Sequence, residues 1–334
     1  MNDPSKRKIS TPDDIHRIAS AFQQSRVLLT AVELGVFTAL GKNSFTSGKV
    51  AEKTGTNKRA TDRLLNALCA AGLVEKKKDL FSNTPASAKY LIKGNKEYMA
   101  GLMHTSGLWK KWSTLTEAVK KGGKTIADPI QKRSPAWFES FIAAMHYRAT
   151  AGAPGMIAKL DLSTISRVLD VGGGSGAYAM AFVRSKDDIT ATIFDLPDVI
   201  SLAKKYVTAE RLLDRINFIE GDYNKNSFGK GYDLVFFSAI IHINSPRKNQ
   251  SLMDKAVKAI NSGGQIVIQD FIMDKERITP PFGTFFALNM LVGTEDGDTY
   301  TEAEVKSWLK KSGFKDIRRL EGEGPASIII ARKK

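Results

Sequence analysis

The chain has 334 residues, 42% of them hydrophobic and 25% charged, with a formal net charge of +15. This length predicts two domains rather than one, and the composition is that of a globular protein, not a disordered or fibrous one. No apolar run approaches the ~20 residues that cross a bilayer, and no apolar stretch follows the basic residues 1–8, so a cytoplasmic protein without membrane contact or signal peptide is expected.

In chain order, residues 1–105 read as a helix-rich domain. Phe22, Val27, Leu28, Ala31, Val32, Leu34 and Val36 recur at helical spacing, and Gly35 marks a helix end. Thr46-Ser47 caps a short helix that stops at Gly55. Asn57 or Thr61 starts another, carrying Leu64, Leu65, Leu68 and Ala71 and closed by Gly72. The lone Cys69 on that helix excludes an internal disulfide and reads as buried filler. Residues 73–75 and 80–82 flank a charged turn and predict a two-stranded wing. Helix, turn, helix and hairpin make a winged-helix layout, one use of which is DNA binding. The second helix exposes a mixed face of Asn57, Lys58, Arg59, Asp62 and Arg63, and lysines are spread along the whole chain, so a dimerisation and substrate-lid domain without nucleic-acid contact is expected.

Residues 106–334 form the expected second domain, opening with a helical segment over 106–160. That segment is aromatic (Trp109, Trp112, Trp137, Phe138, Phe141, Tyr147) and is broken at Gly122-Gly123 and Asp128-Pro129. Its aromatic stripe is either core or the roof of a cleft. From Arg167 onward, strands at 168–170, 191–194, 217–220, 234–237, 265–269 and 327–331 alternate with helical patterns at 199–206, 250–260 and 302–312. Such alternation predicts an α/β fold, a doubly wound, mostly parallel sheet with helices on both faces.

The first of these strands ends in Asp170-Val171-Gly172-Gly173-Gly174-Ser175-Gly176, where glycines allow a ligand to approach the backbone and a helix N-terminus follows. The spacing Gly172, Gly174, Ala177, with Asp195 about 20 residues further on, is compatible with a dinucleotide. Three acids favour S-adenosylmethionine (SAM) instead. Asp170 precedes the glycines, where a carboxylate pairs with an ammonium and repels a diphosphate. Asp195 and Asp222, the latter after Gly221, follow the next two apolar runs, at positions suited to a ribose diol and an adenine amine. The four histidines, His16, His104, His146 and His242, show no ligand spacing, so no metal is expected.

In order, the winged helix, the glycine run, Phe194-Asp195-Leu196-Pro197, Gly221-Asp222-Tyr223, His242, Asn261-Ser262-Gly263-Gly264, Asn289-Met290-Leu291, Gly297-Asp298-Thr299-Tyr300-Thr301 and Ser312-Gly313-Phe314 resemble the SAM-dependent O-methyltransferases of the caffeic acid and acetylserotonin type, nearly end to end. The resemblance implies a Rossmann-like domain whose last strand is antiparallel, and homodimers that exchange N-terminal domains. It implies methyl transfer from SAM to a hydroxyl of a small aromatic or polyketide-like acceptor, leaving S-adenosylhomocysteine. Carried over by position, Gly173, Asp195, Leu196, Asp222 and Tyr223 contact the cofactor, and Ser238 stands where relatives often place Lys or Arg. Met145 and Met290 sandwich the acceptor ring, with Phe141 beside them. His242 is the general base. Asp270 braces it in place of the usual Glu. A second supporting Glu aligns near Thr299, with Asp298, Glu295 and Asp296 as stand-ins. Ile243 and Asn244 follow His242 where relatives usually carry Asp and Trp. These departures imply an acceptor more acidic than a simple phenol, or one activated by its own substituents. They also leave open C-methylation, hydroxylation or decarboxylation on the same fold, or a DNA-binding regulator.

Overall fold

The computed structural model describes residues 9–126, 135–322 and 324–334. The chain divides into two compact units, Met1–Trp109 and Lys110–Lys334.

In the first unit, α1 (Pro12–Ser20) starts at a capping box between Thr11 and Asp14 and leads to α2 (Phe22–Glu33) and α3 (Val36–Leu40). After β1 (Phe45–Thr46), the Thr46 side chain caps α4 (Ser47–Thr54), and Asn57 caps α5 (Lys58–Ala70). The wing is β2 (Val74–Lys77) with β3 (Leu80–Asn83), in an antiparallel sheet of order β1-β3-β2. Phe37, Leu40, Val50, Leu65, Leu68 and Phe81 form its core. The helix–turn–helix–hairpin order expected from sequence is present, and the short strand β1 is an addition. Next, α6 (Pro85–Tyr90) precedes α7 (Gly101–Trp112), which carries the chain into the second unit.

There α8 (Leu115–Lys121) stops at Gly122, in the left-handed conformation, and α9 (Pro135–Ile157) follows. The break expected at Asp128-Pro129 lies outside the described residues. The chain then alternates: β4 (Arg167–Val171), α10 (Ala177–Ser185), β5 (Thr190–Asp195), α11 (Pro197–Ala209), β6 (Ile216–Glu220), β7 (Tyr232–Ser238), α12 (Pro246–Ala259) and β8 (Ile260–Asp270). It closes with β9 (Ile272–Met273), α13 (Pro281–Gly293), β10 (Tyr300–Thr301), α14 (Glu302–Lys311), β11 (Phe314–Glu321) and β12 (Ser327–Lys333). The main sheet has seven strands in the order β11-β12-β8-β7-β4-β5-β6. Strands β8, β7, β4, β5 and β6 are parallel, and β12 is antiparallel to β8.

Side-chain alternation divides the core between the two faces of this sheet. Leu169, Val235, Phe237, Ile266, Ile268 and Ile329 face one layer, and Val168, Leu234, Phe236, Val267, Ile328 and Ile330 the other. Being apolar on both sides, these strands read as continuous hydrophobic runs, and each fully buried large side chain contributes about 1.5–3 kcal/mol. Two expectations need correction. Strand β11 was not predicted, because an edge strand carrying Lys315, Asp316, Arg318 and Arg319 buries only Phe314 and has no apolar alternation. Helix α12 begins four residues before the expected 250, where Ser245 caps it and Pro246 occupies its first turn.

Candidate active site

The strand order reverses at β4, with β5 and β6 on one side and β7 and β8 on the other. The crevice beyond the carboxyl ends of strands at such a switch point is where open α/β sheets take their ligands. At the end of β4 the glycine turn leaves no room for side chains on its inner side. A Cβ on Gly172 would come within 2.3 Å of Ile240 Cδ1, and one on Gly173 within 2.8 Å of the Asp170 carboxyl carbon. Gly174 (φ +58°) faces open space and donates its N–H to Asp195 Oδ2 at 2.9 Å.

Asp170 is only 1% exposed and lies beneath this turn. The Ala179 backbone N–H, in the first turn of α10, lies near its carboxyl, while its Oδ2 has no hydrogen-bond partner among the described residues. Burial pushes its carboxyl up to about 7, and the nearby Asp195 carboxylate pushes the same way. Asp195, at the end of β5, is 9% exposed, and burial raises its carboxyl despite bonds from the Gly174 and Leu196 N–H groups. After β6, a Cβ on Gly221 would strike Phe194 at 2.6 Å, so the chain passes directly over that ring into Asp222 and Tyr223. Asp222 accepts the Asn224 N–H and lies 3.5 Å from Lys225 Nζ, and burial pushes the Tyr223 phenol up. Ser238 ends β7, paired in register with Gln269. A backbone cradle closed to a Cβ at Gly172, Gly173 and Gly176, a buried carboxylate oxygen beneath it without a partner among the described residues and carboxylates on the next two strand ends fit an adenosyl amino acid. The same carboxylates disfavour a diphosphate.

Beyond β7 the chain turns sharply at Ala239 (φ +57°) and enters a short 3₁₀ turn, Ile241–Ile243, that presents His242. Its carbonyls are held from several directions. Asn244 Nδ2 donates to the Ile240 carbonyl at 3.0 Å, Asn249 Nδ2 to that of Ile241 at 2.9 Å, and the Asp298 N–H to that of His242 at 3.0 Å. A Cβ on Gly297 would meet the His242 carbonyl at 2.5 Å, which is why a glycine stands there.

His242 is 7% exposed, and its Nδ1 lies 2.7 Å from Oδ1 of the buried Asp270. Asp270 is itself fixed by the Phe271 N–H at 2.8 Å. A carboxylate at Nδ1 selects the tautomer protonated there, leaving Nε2 as an acceptor, and Nε2 has no partner among the described residues. The stand-in carboxylates are engaged elsewhere: Glu295 with Lys124, Asp296 with Lys248, and Asp298 with the Thr299 N–H and Arg277.

Aromatic rings flank the imidazole. Phe286 stands edge-on at 4.9 Å and Phe271 at 6.0 Å, with Phe271 and Phe286 4.6 Å apart. Sequence reasoning did not single out Phe271, since one aromatic after a strand gives no periodic signal. Phe285, next to Phe286 on α13, is 66% exposed. Met290 is buried on α13, and Phe141 and Met145 are half-buried on α9. Helix α9 reaches the glycine turn through His146, whose Nδ1 is 2.9 Å from Ser175 Oγ and whose ring stacks on Tyr206. Among the described residues no cluster of His, Cys, Asp or Glu could hold a metal ion, and no helix is long and apolar enough to cross a membrane.

Comparison with known proteins agrees with this geometry. Residues 112–315 match the O-methyltransferase domain family and residues 16–93 the O-methyltransferase dimerisation domain. The chain is 30% identical to the 3-hydroxy-5-methyl-1-naphthoate 3-O-methyltransferase of Streptomyces sahachiroi, over 95% of this chain and 94% of that protein. It is also 30% identical to the tetracenomycin polyketide synthesis 8-O-methyl transferase of Streptomyces glaucescens, over 96% and 97%. The solved structure of human N-acetylserotonin methyltransferase in complex with SAM superposes with a TM-score of 0.85 at 25% identity, covering 98% of this chain and 99% of that one. With the cradle, the strand-end acids and the matched domains in agreement, this chain belongs to the O-methyltransferase family and is a SAM-dependent O-methyltransferase.

Proposed function

We propose that the protein methylates a hydroxyl of a small aromatic or polyketide-like metabolite, with His242 as general base. The observation that carries this reading is the 2.7 Å hydrogen bond of His242 Nδ1 to Asp270 Oδ1, which leaves Nε2 without a partner among the described residues, at the sheet's carboxyl edge. SAM, when bound, supplies a sulfonium-activated methyl group and leaves as S-adenosylhomocysteine. The residues that would hold it are the backbone of Gly172, Gly173, Gly174 and Gly176, with Asp170 beneath the turn. Asp195 and Leu196 would take the ribose, Gly221, Asp222 and Tyr223 the adenine, and Ser238 would stand beside them. Phe141, Met145 and Met290, with Phe271 and Phe286, would wall the acceptor.

A phenol of pKa near 10 is mostly protonated at neutral pH. His242 Nε2 accepts the hydroxyl proton while the acceptor oxygen takes the methyl, and the Asp270 carboxylate stabilises the imidazolium that results. General base catalysis of this kind contributes about 10²–10⁴-fold. The match to a dimerisation domain supports a homodimer built through the first unit. Turnover of labelled SAM with a panel of hydroxylated aromatics tests the reading. His242→Ala should lower kcat by about 10²–10⁴-fold while SAM affinity holds within about twofold. Equal loss of rate and affinity, or unchanged kcat, would contradict it.

A further inference from the structure

Asn244 is buried two residues beyond His242, and its contacts lead to three separate places. Its Nδ2 donates to the Ile240 carbonyl at 3.0 Å, closing the turn that carries His242. Its side chain lies beside the phenol of Tyr223, which follows β6 and, like Ile240, borders Gly172. Its own carbonyl accepts the Tyr300 hydroxyl at 2.5 Å. Ile240, held by that amide, is the residue pressed against Gly172, so the same group also fixes what packs on the glycine turn. A buried amide is costly unless its polar atoms are satisfied, and an apolar side chain would fill the space without that demand. An amide here bonds the Ile240 carbonyl beyond β7, which an apolar residue would leave unpaired, and stands beside Tyr223 beyond β6.

We propose that Asn244 is a positioning residue that sets His242 in register with the cofactor cradle, through Ile240 on one side and Tyr223 on the other. This rests on His242 acting as base and Tyr223 bordering the cofactor. A base must stand about 2.6–3.2 Å from the proton it takes, and a misplacement of about 1 Å costs on the order of 10²-fold in rate. With Asn244 in place, seating of the cofactor against Tyr223 and placement of the imidazole depend on one group. Neither Tyr223 alone nor His242 alone has that property.

The test compares Asn244→Ala, Asn244→Asp, Tyr223→Phe and the double variant Tyr223→Phe/Asn244→Ala in the full-length protein, reading SAM affinity by calorimetry and kcat by turnover. Asn244→Ala should weaken SAM by about three- to tenfold, as expected for loss of a buried hydrogen bond, and lower kcat by about ten- to a hundredfold. In the double variant SAM should bind no more weakly than in Asn244→Ala alone, because both changes remove one interaction. Asn244→Asp keeps the shape but removes the donor to Ile240. It should lose kcat similarly, and it serves as the test if Asn244→Ala does not fold. Lost kcat with unchanged SAM affinity, additive losses in the double variant, or full activity of Asn244→Asp would overturn the proposal. A His242→Ala variant with undiminished kcat would instead defeat the base assignment, and the coupling between Asn244 and Tyr223 would still be read in SAM affinity.

Discussion

Asp170 is an acid with no room for its charge. Buried beneath the glycine turn, with one oxygen lacking a partner among the described residues and Asp195 nearby, its carboxyl is pushed up to about 7. Its ordinary value is 3.8, so between about pH 4 and 7 the native state holds a proton that the unfolded chain has released. Stability of the ligand-free protein therefore falls as pH rises through that window, by on the order of 4 kcal/mol. Asp170→Asn should raise the ligand-free Tm at pH 8 by clearly more than at pH 5. A variant that melts below wild type at pH 8 would show that the charge is compensated locally. The general position of this acid was legible in the sequence, since it stands at the junction of an apolar run and a glycine cluster. That it turns inward was not, because a strand-end side chain's direction depends on the pleat register with neighbouring strands.

At the scale of elements, the parallel strands were legible because burial on both faces writes them as uninterrupted apolar runs. The glycine turn was legible because close approach leaves no alternative to glycine. The turn bearing His242 was not. Its shape depends on Ala239 at φ +57° and on polar contacts from Asn249 and Asp298, distant in sequence and without periodicity. Strand β11 was missed for the complementary reason, that its charges hide it. The left-handed conformation of Ala239 costs about 1–2 kcal/mol for a residue with a Cβ. Since Ala239 is exposed, Ala239→Gly should stabilise the fold by about 0.5–1 kcal/mol, after allowing for glycine's greater freedom in the unfolded chain. A raised midpoint in urea denaturation supports this. A lowered one would mean that the Ala239 methyl makes a contact of its own.

For the whole molecule, the first unit presents Ile15, Ile18 and Phe22 at 62%, 61% and 53% exposure, spaced to share one face across α1 and the start of α2. An apolar face of this size is characteristic of an interaction surface, and the match to the dimerisation domain makes a second copy its expected occupant. Light scattering should give twice the 36.6 kDa chain mass for the wild type and a single chain mass for Ile18→Glu/Phe22→Glu. A variant that stays dimeric would place the interface elsewhere.

Calorimetric titration of SAM into wild type and Asp195→Ala tests directly whether the strand-end acids hold the cofactor. The wild type should show saturable one-site heat, and Asp195→Ala should weaken binding by about tenfold or more, as loss of a charged hydrogen-bond acceptor does. Undiminished affinity in Asp195→Ala would contradict the assignment of the site.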